Sequence, residues 1–184
     1  MIEALLGDEV DEYGGYIAEV IYGANDGIIT TFAVVAGVAG AALDPAIVLI
    51  LGFANLLADG FSMGASNYLS QRSSQEYQAA QNDVQEIDRP PAFTAATTFA
   101  AFVFAGWTPL LPYLLGLVSE DLLTPGVTFP LSLGAAAVAF FVVGASRSIV
   151  TNRTWYRAGG EMLTVGMVAA AVAYVVGSAL GGLA

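Results

Sequence analysis

The chain has 184 residues, 57% of them hydrophobic and 11% charged, and contains neither cysteine nor histidine. A mean hydropathy of +0.70 excludes an ordinary soluble domain, and the missing residue types exclude disulfides, thiolate chemistry, imidazole metal ligands and the commonest general base. With a net charge of -11 and all five basic residues arginine, the surface is acidic, which disfavours nucleic acid as a partner and points to a salt-adapted organism.

An all-α integral membrane protein is the expected fold class. A spanning helix needs about 20 mostly apolar residues, and the chain offers five such segments after residue 20. Residues 1–20 lack the basic start of a secretory signal and carry Asp8, Glu9, Asp11 and Glu12 among apolar residues. They are expected to be retained as an amphipathic segment on the cytoplasmic surface. Residues 21–184 then form a transmembrane domain with spans at about 21–43, 46–70, 92–117, 128–149 and 160–183.

Leu43-Asp44-Pro45 is a tight connection with Pro45 suited to the first turn of the second helix. Polar residues 71–91 follow, and their first two thirds can extend that helix into water before Pro90-Pro91 ends it. Pro109 and Pro112 should bend or unwind the far end of the third span where neighbours can satisfy the freed carbonyls. All five arginines fall at two loops: Arg72 and Arg89 in one, Arg147, Arg153 and Arg157 in or beside the other. The positive-inside rule therefore places the N-terminus in the cytoplasm and the C-terminus outside a multi-pass cell (plasma) membrane protein. Gly60 with Gly64 and Gly177 with Gly181 have the spacing that lets helices approach closely, read here as packing within the chain.

Against this apolar background the polar residues inside the spans stand out. A charged side chain at a helix centre costs roughly 2.5–3.5 kcal/mol on insertion scales, so it should face a partner, a cavity or a pathway. Asn55, Asp59, Met63 and Asn67 recur every four residues and form one stripe of oxygen and sulfur atoms along the second helix. Asn25-Asp26-Gly27 is the second place where an acid lies in a long apolar run. Carboxylate and amide oxygens suit hard divalent cations, and a thioether shifts the preference toward softer ones. Burial favours the protonated form of a carboxyl and a bound cation the ionised form, so metal binding at such a pair expels protons. Glu161 is a further pathway candidate at the mouth of the fifth span, and Glu76, Asp83 and Glu86 are a candidate cytoplasmic metal antenna. Each has a plainer reading as an inter-helix hydrogen bond, a helix-terminal charge or a solvated face. Three classes of function compete: a transporter, a non-transporting scaffold or metal sensor, and an intramembrane aspartyl protease using Asp26 and Asp59. Ala58, preceding Asp59, argues against the protease.

The stretch Tyr22-Gly23-Ala24-Asn25-Asp26-Gly27, with Thr30-Thr31-Phe32 and the run from Val35 to Ala41, resembles the first helix of the vacuolar iron transporter family. Ala54-Asn55-Leu56, Asp59-Gly60-Phe61-Ser62-Met63 and Asn67-Tyr68-Leu69-Ser70 resemble its second helix, and Pro109 to Tyr113 its third. Arg157 to Leu163, with Gly166 and Ala169-Ala170-Ala171, resembles the start of its fifth. The resemblance implies a homodimer of five-helix subunits that exports Fe2+, or Mn2+, from the cytosol in exchange for protons, with no permanently bound cofactor and no enzymatic activity. It also implies that Asp26 and Met63 line the path, with Asp59 as an additional ligand. Two departures are visible. Ser66-Asn67-Tyr68 carries an amide where many members have a carboxylate, and residues 71–91 are too short for the cytosolic metal-binding domain of eukaryotic members, which implies a prokaryotic type.

Overall fold

A computed structural model describes residues 9–81, 90–118 and 125–183. Five of its helical segments are long and apolar enough to cross a membrane: Tyr16–Gly40, Pro45–Ala80, Pro91–Val118, Gly126–Ile149 and Trp155–Leu183. Helix α1 spans Glu9–Gly40, α2 Pro45–Ala80, α3 Pro91–Gly106, α4 Leu111–Val118, α5 Pro125–Ser146 and α6 Trp155–Leu180. Helices α3 and α4 are two parts of the third span. Helix α1 runs without interruption from Glu9, so the described part of the acidic N-terminal segment continues in line with the first span.

The connections follow the local chemistry of the chain. Asp44 caps α2 by accepting a hydrogen bond from the Ala46 backbone amide at 2.8 Å, with Pro45 in the first turn. Ala42, at φ 55°, reverses the chain before it. Helix α2 runs to Ala80, well past the 30 Å of a bilayer interior at about 1.5 Å per residue, and α3 restarts at Pro91. In the third span the helix gives way to a 3-10 turn, Thr108–Leu110, before α4 begins. The carbonyl of Pro109 is recovered there by the buried Ser132 of α5, whose hydroxyl donates to it at 2.6 Å. The expected break and its expected compensation are both present.

Helix α1 is the axis of the bundle and touches α2, α3, α5 and α6. It can do so because small residues face the neighbours with the closest approach. A side chain at Gly27 would overlap the Phe102 backbone of α3, and one at Gly23 would stand 2.6 Å from the Thr98 carbonyl oxygen. Further along α1, Gly37 meets Gly177 of α6, and Ala41 meets Gly181. Gly60 and Gly64 of α2 seat Phe99, Phe102 and Ala95 of α3. Both glycine pairs singled out in the sequence therefore pack helices of the same chain. These contacts set α3 and α6 parallel to α1 and α2 antiparallel to it. The core between them is built from Ile28, Phe32, Val35, Leu56, Phe102 and Phe140, all essentially without solvent contact.

Candidate functional site

The antiparallel seam between α1 and α2 brings the polar residues of both helices together. Near its middle, Asp26 of α1 and Asp59 of α2 lie close enough for their charges to interact, and both side chains are half-buried. Neither is hydrogen-bonded or ion-paired through its carboxylate among the described residues. The described arginines that form ion pairs do so elsewhere: Arg72 with Glu76 at 3.1 Å, and Arg153 and Arg147 with Glu161 at 2.8 and 3.9 Å. Two neighbouring carboxylates at membrane depth, with no basic partner among the described residues, offer oxygen donors to a cation.

Met63 follows Asp59 by one turn. It is half-buried and packs against the apolar core, on the stripe that leads to Asn67. At Asn67 the seam becomes a hydrogen-bonded network. The Asn67 amide nitrogen donates to the Glu19 carboxylate of α1 at 2.8 Å and to the Thr98 hydroxyl of α3 at 2.9 Å, and Gln71 donates to the Asn67 amide oxygen at 2.9 Å. The Thr98 hydroxyl also lies 3.4 Å from the same Glu19 oxygen. Going along α1, Glu19 and Asp26 are seven residues apart, about 10 Å on one face. Going along α2, Asn67 and Asp59 are eight apart, about 12 Å. The two helices thus match rung to rung: Glu19 opposite Asn67, Asp26 opposite Asp59, and Met63 between.

The other candidates lie beyond this pair or on other parts of the bundle. Asn25 points to the α6 side of α1, where it lines a cavity of about 820 Å³ together with Tyr22, Arg147, Thr151, Glu161 and Met162. Glu161 is held there by its two arginines. Asn55 is half-buried one turn beyond Asp59 on α2. Glu76 is exposed and paired with Arg72 near the end of α2, where water and salt screen the pair. Asp83 and Glu86 lie outside the described residues. Among the described residues no three carboxylates converge, so a cation on the Asp26 and Asp59 pair must complete its shell with sulfur, amide oxygen, water or groups from another molecule.

Sequence reading missed Glu19 and Thr98. Glu19 sits at the end of a run of N-terminal acids that reads as a solvated face, and its seven-residue spacing from Asp26 was the available signal. Thr98 carried none, since its role depends on how α3 settles against Gly23.

Comparison with known proteins bears on this arrangement. Residues 17–93 and 83–178 match the model of the VIT family. The vacuolar iron transporter of Toxoplasma gondii is 42% identical over 71 residues, which is 39% of this chain and 24% of that protein. That of Plasmodium falciparum is 42% identical over 67 residues, 36% of this chain and 24% of its own. Vacuolar iron transporter 1 of Arabidopsis thaliana is 25% identical over a 217-residue alignment covering 88% of this chain and 84% of the plant protein. The matched stretch thus spans about a quarter of the parasite relatives and most of the plant one.

Proposed function

The chain belongs to the VIT family, and from that membership we propose that it carries a divalent transition metal, Fe2+ or Mn2+, out of the cytoplasm in exchange for protons. The observation that carries this reading is the pair of carboxylates, Asp26 and Asp59, lying near each other across the α1–α2 seam with no basic side chain paired to either among the described residues. A dication arriving there replaces protons, and its departure lets them return, which couples the two flows without any further machinery. Met63 beside the pair biases the site toward ions soft enough to tolerate a thioether, and away from Mg2+ and Ca2+. The names of the relatives speak for iron, and all of them are named as transporters.

The arginine distribution supports an N-terminus in the cytoplasm and a C-terminus outside, in the cell membrane. Lipid, metal ion and protons are then the partners, together with a second copy of the chain. A homodimer would set the half-buried acids of two subunits near a common axis and supply the ligands that a single seam lacks.

The test is transport by the purified protein in liposomes carrying a trapped pH indicator. Fe2+ uptake is expected to drive protons out, and an imposed proton gradient to drive Fe2+ movement; metal binding without flux would select the sensor or scaffold instead. Met63→Leu should keep the fold, since the two side chains have similar volume. It should weaken Fe2+ uptake by about tenfold while leaving inhibition by Mg2+ unchanged. Equal weakening toward both ions would remove sulfur from the path.

A further inference from the structure

The Glu19, Asn67 and Thr98 network gathers oxygens of two helices around one amide nitrogen of a third. One amide nitrogen stands 2.8 Å from a carboxylate oxygen and 2.9 Å from a hydroxyl oxygen, so its two hydrogens are directed at two oxygens that belong to different helices. The Gln71 amide, donating to the Asn67 oxygen at 2.9 Å, fixes which end of Asn67 faces inward. The Thr98 hydroxyl also donates to the Thr94 carbonyl at 2.9 Å, which leaves its lone pairs turned toward Asn67. The polar end of Asn67 therefore occupies the point where oxygens of α1 and α3 converge, as a small cation would.

We propose that Glu19, the Thr98 hydroxyl and the Asn67 amide form an outer station for a divalent cation, with the Asn67 nitrogen standing in the cation's place until one arrives. On arrival the Asn67 amide turns over about its terminal torsion, giving up the Gln71 bond and presenting its oxygen. The station then offers a carboxylate, an amide oxygen and a hydroxyl, a hard oxygen set suited to a partly hydrated dication. From there Met63 lies one turn along α2, and the Asp26 and Asp59 pair one turn further. The station rests on the transport reading above, because a cation held at Glu19 has a destination only if Asp26 and Asp59 accept it.

Glu19→Gln separates this role from a structural one, since glutamine keeps the shape and an acceptor for the Asn67 amide while removing the charge. With the full chain in liposomes, the half-saturating Fe2+ concentration is expected to rise about tenfold with the maximal rate within about twofold, the pattern of lost binding common to ground and transition states. A second measurement reads binding directly. Asp26→Asn, which should not transport, is expected to retain Fe2+ binding in anaerobic equilibrium dialysis, and addition of Glu19→Gln should remove it. An unchanged half-saturating concentration, or retained binding in the double variant, would overturn the station. Transport by Asp26→Asn would instead overturn the inner site, and the Glu19 shift would still be read on its own.

Discussion

Asp26→Asn and Asp59→Asn are each expected to abolish metal-driven proton movement in liposomes while leaving the protein folded. Asparagine matches aspartate in shape and keeps one oxygen for a metal, so the packing around α1 and α2 is preserved. What it removes is the charge and the exchangeable proton. Near a cation about 4 Å away, under an effective dielectric constant of about 20, one carboxylate charge is worth about 4 kcal/mol per unit of metal charge. Loss of even part of that lowers transport by roughly a hundredfold or more. The double variant should be no worse than either single one, because the two acids act as one site. Undiminished antiport in both single variants would remove the physical basis of the proposal.

The second large effect concerns the scaffold that aims those acids. Gly27→Val is expected to destabilise the protein by about 3 kcal/mol or more, the upper range for forced overpacking. A Cβ at Gly27 would run into the Phe102 backbone of α3, which cannot turn aside as a flexible side chain can. Helix α1 would have to move away from α3, and Asp26, next along the chain, would lose its register against α2. Gly160→Ala is the control, since a Cβ there meets nothing within 4 Å, and it should change stability by less than about 0.5 kcal/mol. Unfolding in detergent, followed by fluorescence of Trp107 and Trp155, measures both. Equal stability of the two variants would show that the α1–α3 contact is looser than described.

Much of the framework was legible in the sequence because it depends on neighbours along the chain. Asp44-Pro45 declares a helix start through its own side chain and ring, and Pro109 declares a break through its missing amide. Gly177 and Gly181 declare a close approach, though only the folded chain shows that it is made to α1. The acids Asp26 and Asp59 stood out because charge at membrane depth needs a reason. Other features depend on how the helices meet, which no local pattern encodes. Gly23 and Gly27 have the same spacing as the two pairs that were noticed, yet they lie inside a motif that reads as chemistry rather than packing. Glu19 looks like one more surface acid until the antiparallel register sets it opposite Asn67. Glu161, expected at the mouth of the fifth span, lies on the α6 side of the bundle beside Arg153 and Arg147, an ion pairing that depends on where the loop between the last two spans folds.

Anomalous diffraction from crystals soaked anaerobically in Fe2+ tests the central claim most directly. A peak bridging the Asp26 and Asp59 carboxylates, within coordinating reach of the Met63 sulfur and lost in Asp26→Asn, is the expected result. Density for iron elsewhere, with those two carboxylates turned apart and none between them, would contradict it.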